Sequence, residues 1–209
     1  ETRTVVVATG KSPRMLNIPG ERYFRGKGVS YCSTCDAPLF AGMDVAVIGG
    51  GNSGLDAAIQ LMKITPKVYI IEQEPKLRAD EVLKEKVQNA HDVEILLNTR
   101  PVVVFGDVMV TGLTVENIET GEKRDIKVRG IFVEIGLEPN TEFIKDMVRL
   151  NRYGEIPVNC ATETGIPGLF AAGDVTDVPE KQIIIAAGDG AKAALGAYSY
   201  IVRLPSEVT

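Results

Sequence analysis

The chain has 209 residues, 44% of them hydrophobic and 24% charged, a composition suited to one large or two small folded domains. Acidic side chains outnumber basic ones 28 to 23, giving a net charge of −5, and the basic residues are dispersed among acidic neighbours, which excludes the basic stripe of a nucleic-acid surface. No run approaches the ~20 consecutive apolar residues of a membrane helix, and no basic-then-apolar secretory signal opens the chain, so a cytoplasmic protein that contacts neither membrane nor nucleic acid is expected.

Val5-Val6-Val7-Ala8 predicts a short buried strand, and the stretch after it, with Gly10, Pro13, Pro19, Gly20 and Gly26, reads as an interdomain linker. Cys32-Ser33-Thr34-Cys35-Asp36 comes next. A CxxC spacing lets two thiols close a small disulfide ring and reopen it, and in a reducing compartment it points to redox or metal work. Beyond the pair only Cys160 and the single His91 remain to complete a zinc shell, so no metal centre is expected, and Cys160 reads as an inert structural thiol. Ser33 and Thr34 are small and polar and do not bury the pair. A helix start near Cys35 would stabilise its thiolate, and Asp36 would either move a proton as a mixed disulfide resolves or serve as an ordinary helix-start carboxylate.

A strand over residues 44–48, the turn Gly49-Gly50-Gly51-Asn52-Ser53-Gly54, a helix over about 53–64 and a strand over 67–71 ending at Glu72 make one complete βαβ unit. In that setting Gly49 allows the tight turn, Gly51 lets the backbone approach a pyrophosphate, and Gly54 lets helix and strand pack closely, while Asn52 and Ser53 open the helix whose positive end faces the phosphates. A carboxylate at Glu72 suits the ribose 2′-hydroxyl of NAD and opposes the 2′-phosphate of NADP. Two unit charges ~4 Å apart at an effective dielectric of ~20 interact by roughly 4 kcal/mol, and a third of that gives about tenfold discrimination. Arg78 or Lys76 would partly offset it, and Glu72 and Glu74 as solvated loop charges are the plainer alternative.

A helix is predicted over 80–89 from Val82, Leu83 and Val87, a strand over 93–97, and a β-rich meander from residue 100, with turns at Gly106-Asp107 and Thr120-Gly121-Glu122. A buried strand over 131–135 ends at Gly136. Beyond it lie strands over 155–158 and 168–172, the pair Gly173-Asp174, and a helix rich in Ala and Gly over about 185–202. The chain after about Thr141 reads as a different domain from the βαβ unit.

Several of these segments together, Ala8-Thr9-Gly10, Ile18-Pro19-Gly20-Glu21, Val29-Ser30-Tyr31 before the CxxC and its Asp, the GGGNSG loop, Gly136 to Thr141, Ala171-Ala172-Gly173-Asp174 and Lys181 to Ile185, resemble the low-molecular-weight thioredoxin reductases and the related flavoprotein subunit of alkyl hydroperoxide reductase. The resemblance implies an α/β fold in which a Rossmann-like three-layer β/β/α domain for NAD(P)H, residues 14–141 with the CxxC, is inserted into an FAD-binding domain of the same type, residues 1–13 and 142–209. It implies that Cys35 faces the flavin, Cys32 attacks the partner's disulfide and Asp36 is the acid/base. Asp174 would bind the ribityl chain of FAD, Gln182 and Ile183 would present backbone near its ring, and Gly136 and Gly173 would belong to the cofactor sites. A homodimer, a large domain rotation and a thioredoxin-like or peroxiredoxin-like protein disulfide as partner are implied as well.

Two departures bear on function. NADPH-dependent members carry a His-Arg-Arg motif and a further Arg where this chain has Glu72, Gln73, Glu74 and, of the set, only Arg78, which resembles the NADH-using flavoproteins. In the family the FAD domain starts with its own glycine-rich βαβ; the resemblance implies that this half, on the order of a hundred residues, is absent here, so this polypeptide alone is expected to hold FAD poorly or not at all. The expected function is a flavin-dependent protein-disulfide reductase passing electrons from NADH through FAD and the dithiol to thioredoxin or a similar protein disulfide. The alternatives are a peroxiredoxin-reducing flavoprotein and an NADH-binding redox sensor without flavin.

Overall fold

The computed structural model describes residues 1–205, and residues 206–209 of the expected segment 142–209 lie outside the described residues. The chain divides into two units, one formed by Glu1–Pro13 with the chain from Leu137 onward, the other by Arg14–Gly136. The first begins with strands β1 (Val5–Val7) and β2 (Lys11–Pro13).

The second unit contains β3 (Val29–Ser30), the short helix α1 (Ser33–Asp36), a 3-10 turn at Ala37–Phe40, β4 (Val45–Ile48), α2 (Asn52–Leu61), β5 (Val68–Ile71), α3 (Glu81–Gln88) and β6 (Val93–Leu96). It continues with β7 (Thr99–Gly106), β8 (Val110–Asn117), β9 (Lys123–Ile126) and β10 (Gly130–Val133). Five strands form a parallel sheet in the order β3-β10-β4-β5-β6, and β7-β8-β9 form an antiparallel sheet. Alternation along the strands separates two cores. Val45, Val47, Ile70 and Phe132 pack with Leu55, Ala58 and Leu61 of α2, while Ala46, Ile48, Ile71, Ile131 and Val133 pack with Val104, Leu113, Val115 and Ile126 of the antiparallel sheet. The parallel strands are apolar on both faces because both are covered, and the result is the expected β/β/α layering.

Helix α2 stops earlier than the sequence pattern suggests. Pro66 disfavours helical backbone at Thr65, and the Leu61 carbonyl closes the helix end by accepting from both the N–H and the hydroxyl of Thr65, each at 2.9 Å. Strand β4 has β5 on one side and β10 on the other, so the direction of winding reverses there and a cleft opens beyond the carboxyl ends of these strands.

The stretch read as a linker does pass from one unit to the other, its Gly10 and Pro13 lying in the first, but from Arg14 onward it is an anchored part of the second unit. Glu21 is fully buried in it, and its carboxylate accepts from Leu16 N–H and Asn17 N–H, both at 2.7 Å, and from the Tyr31 hydroxyl at 2.9 Å. These bonds offset the cost of burying the charge and fix the backbone that leads to the CxxC.

In the first unit, β11 (Leu137–Pro139) pairs antiparallel with β2, and β12 (Leu169–Ala171) pairs parallel with β1. Val7, Ile144, Ile156, Ala171 and Val175 form its core, and Ala193 and Ala197 of α4 (Ile183–Arg203) pack on Phe170 and Ala172. The expected burial of β1 holds only at Val7; Val5 and Val6 are 45% and 41% exposed, because one strand partner gives the β1 sheet partial cover. The expected strand over 155–158 reduces to a bridge between Ile156 and Thr176, since Pro157 has no N–H to extend a ladder. Beside that bridge the mostly buried Glu155 carboxylate holds Lys11 Nζ at 2.5 Å and Lys181 Nζ at 3.3 Å. Among the described residues no helix is long and apolar enough to cross a membrane.

Candidate functional site

The cleft beyond β4 and β10 has a volume of about 870 Å³ and is lined by the glycine turn, Glu72, Arg78, Arg14, Glu134 and Gly136. Gly49 has φ of 121°, and a Cβ there would lie 2.5 Å from the Glu134 carbonyl oxygen; a Cβ on Gly54 would lie 1.9 Å from the Gly49 carbonyl oxygen. These contacts require glycine. Gly51 is the N-cap of α2 without a side-chain cap, and the space where its side chain would stand is open. The first-turn amides of α2, from Asn52 and Ser53 onward, are therefore the donors suited to a pyrophosphate. The Asn52 side chain is engaged elsewhere, accepting from Asp80 N–H at 2.8 Å and donating to its carboxylate at 3.2 Å.

Glu72 is 3% exposed, which rules out a solvated loop charge. One carboxylate oxygen accepts from Gly50 N–H at 2.6 Å and the other from Glu74 N–H at 2.9 Å, with Arg78 Nη2 at 4.0 Å. Each oxygen retains a second lone pair for a ribose hydroxyl. Arg78 is largely exposed, and its backbone N–H donates to the Gly50 carbonyl at 2.8 Å, joining its loop to the glycine turn. Gly136 closes the opposite wall, where its carbonyl accepts from Arg14 N–H at 3.0 Å.

The same unit holds the dithiol, oxidised to a Cys32–Cys35 disulfide with Cα atoms 5.3 Å apart. The helix-start position belongs to Cys32, not Cys35. Helix α1 begins at Ser33 with Cys32 as its N-cap, and Cys35 N–H donates to Cys32 Sγ at 3.2 Å. Cys35 is exposed and Cys32 partly covered. Asp36 ends α1 with its carboxylate accepting from the Ser30 hydroxyl at 2.7 Å. A second, mainly apolar hollow of about 550 Å³ flanks the turn, lined by Leu39, Phe40, Met43 and Met109, with Asp36 and Arg129 also on its wall.

Two cleft residues were not singled out from sequence. Arg14 follows a Pro in an irregular stretch that carries no periodic signal. Glu134 is flagged only by being an acid directly after the apolar run Ile131-Phe132-Val133. Its Oε1 accepts from Ser33 N–H at 3.3 Å, and burial pushes its carboxyl above the usual range while that bond pulls it back.

In the first unit Gly173 adopts φ of 74° at the start of a 3-10 turn that holds Asp174, partly exposed. Gln182 is the N-cap of α4 without a side-chain cap, and Ile183, 87% exposed, is its first residue, so the helix starts earlier than predicted. Lys181 Nζ donates to the Thr176 carbonyl at 2.6 Å and Thr176 N–H to the Gly173 carbonyl at 3.0 Å, which brings the Asp174 turn and the α4 start together. Free first-turn amides with a nearby carboxylate are a donor and acceptor set that fits the polar edge of a flavin and its ribityl hydroxyls. Cys160, expected to be a structural thiol, is free and exposed, because it lies in a surface turn closed by Asn159 Oδ1, which accepts from Ala161 and Glu163 N–H.

A glycine-turn cleft and a disulfide on one βαβ-based unit define a pyridine-nucleotide redox protein. The chain belongs to the pyridine nucleotide-disulphide oxidoreductase family, whose description it matches over residues 1–190; these are enzymes that bind FAD and a pyridine nucleotide. It is 50% identical over 203 residues to the F subunit of alkyl hydroperoxide reductase from Staphylococcus aureus (strain MSSA476) and 49% identical over the same length to the NADH dehydrogenase of Bacillus subtilis (strain 168), covering 97% of this chain and 40% of each relative. The thioredoxin reductase structure from Streptococcus pyogenes MGAS5005 superposes with a TM-score of 0.92 at 35% identity, over 96% of this chain and 66% of that one. The chain thus spans well under half the length of these curated relatives.

Proposed function

We propose that the protein is an NADH-preferring, FAD-linked disulfide reductase of the cytoplasm, delivering electrons through Cys32 and Cys35 to a thioredoxin-like protein disulfide. The reading is carried by one observation: a unit that holds a reducible disulfide also holds a dinucleotide cleft whose ribose end is the buried carboxylate of Glu72. An added 2′-phosphate would meet that charge, and the relative from Bacillus subtilis is named for NADH.

The first-turn amides of α2 hold the pyrophosphate, Glu72 orients the adenine-side ribose, Asp174 binds the flavin's ribityl chain, and the α4 start from Gln182 and Ile183 faces its ring. Bound FAD supplies the two-electron carrier between nicotinamide and disulfide. The thiolate of Cys32 attacks the acceptor disulfide, forming a mixed disulfide and releasing one acceptor thiolate. Cys35 then displaces the second, which restores the Cys32–Cys35 bond, with Asp36 holding or passing the proton. The apolar hollow at Leu39, Met43 and Met109 shares Ser30 and Asp36 with the dithiol's surroundings, which supports it as the surface that receives the acceptor.

A peroxiredoxin as the acceptor is the second reading, favoured by the 50% identity with an alkyl hydroperoxide reductase component. Steady-state reduction of thioredoxin and of a peroxiredoxin disulfide, each with NADH and with NADPH and with FAD present, tests both points. A higher kcat/KM with NADPH than with NADH would overturn the nucleotide assignment, and the better acceptor decides between the two partners.

A further inference from the structure

Glu134 touches both motifs of the second unit. Its N–H donates to the Ile48 carbonyl at 2.9 Å, and its own carbonyl fills the space that a side chain at Gly49 would need, so its backbone is fitted against the glycine turn. Its carboxyl reaches the dithiol turn, where Oε1 accepts from Ser33 N–H at 3.3 Å. Ser33 is the first residue of α1 and Cys32 is its cap, so this carboxyl and the Cys32 sulfur share one helix end. A carboxylate held on the Ser33 N–H stands beside the residue that carries the Cys32 sulfur, so its charge opposes a second negative charge there. Burial raises the Glu134 carboxyl, as expected for an acid whose charge is only partly compensated.

We propose that Glu134 is a positioning residue for the dithiol: it holds the Ser33 amide and, by keeping its own charge on the residue next to Cys32, restrains formation of the thiolate at Cys32. The proposal rests on the reading of Cys32 and Cys35 as a redox couple. The other groups in these surroundings are Asp36 on α1, the Ser30 hydroxyl on β3 and the exposed Asp56 on α2, which packs against α1; Arg14, Glu72 and Arg78 line the cleft that Glu134 shares.

The test needs neither flavin nor turnover. The protein, carrying Cys160→Ser, is reduced with dithiothreitol and desalted without oxygen, and alkylation of Cys32 by iodoacetamide is followed by peptide mass spectrometry across a pH series. Glu134→Gln keeps an acceptor for Ser33 N–H and removes the charge. The midpoint of its rate profile should fall by about one pH unit, and its rate near pH 7 should rise roughly threefold, the lower basicity of the thiolate offsetting part of the gain in its amount. Glu134→Asp, which retains the charge, should return the profile toward that of the parent. A Glu134→Gln profile matching the parent, with or without a change in Glu134→Ala, overturns the proposal. A parent protein in which reduction frees no alkylatable Cys32 instead removes the redox couple itself.

Discussion

At Cys32 and Cys35 the exchange of one sulfur for oxygen separates electron entry from electron exit. Serine at either position should abolish reduction of a protein disulfide while NADH binding and flavin reduction persist; unchanged disulfide turnover in either variant would remove the pair from the mechanism. Glu72→Ala deletes the acceptor for Gly50 N–H, and an amide left unpaired at a buried site costs about 1–3 kcal/mol. We expect NADH affinity to fall about tenfold and the thermal midpoint to drop, read by fluorescence titration and calorimetry. The CxxC and Glu72 were legible because their spacing relative to glycine and strand is itself the signal. The helix-start role of Cys32 was not, since which sulfur caps a four-residue helix depends on where the chain turns. Nor was the fastening of Glu21, because a buried acid with backbone partners leaves no periodic trace.

Among the elements, strands β4 and β5 are legible almost to the residue, since strands covered on both faces must be apolar throughout, whereas α2 ends at Leu61, short of the expected 64. The two-residue strand β3 and the β2–β11 pair were missed: such short strands carry too few side chains to show alternation. Close packing at the α2 start predicts that Gly54→Ala destabilises the second unit and weakens nucleotide binding together, because the new Cβ would meet backbone that cannot retreat. In the first unit, burial pushes the Glu155 carboxyl up, but hydrogen bonds from Lys11 and Asn151 and the charges of Lys181 and Lys11 outweigh it and leave it below the usual range. A carboxyl lowered on folding contributes stability above its unfolded value of about 4.3 and loses it as pH falls through the lower folded value. The thermal midpoint should therefore decline on acidification through that window. Glu155→Gln, which takes the carboxylate from the mostly buried Lys11 and leaves Lys181 only the weaker attraction of Asp174, should lower stability near pH 7 by about 3 kcal/mol and flatten the acid decline.

For the whole molecule, the decisive observable is colour. The purified chain, mixed with FAD, desalted and then given NADH without oxygen, should show a visible flavin band that bleaches if the Asp174 turn and the α4 start suffice to hold the cofactor; a colourless protein that still binds NADH would show that these two elements do not suffice. The family was legible from short segments scattered along the sequence, while the surroundings of each site were not, because they are built by side chains distant in sequence, such as Glu134 beside Ser33. Glu72 shows what that costs in evolvability. The carboxylate assigned to choosing the nucleotide is also the clasp of the glycine turn, bonded to Gly50 and Glu74 at once. A lineage that replaced it with arginine to welcome a 2′-phosphate would loosen the loop in the same step, so under the proposed role of Glu72 a change of coenzyme and the stability of the turn are coupled.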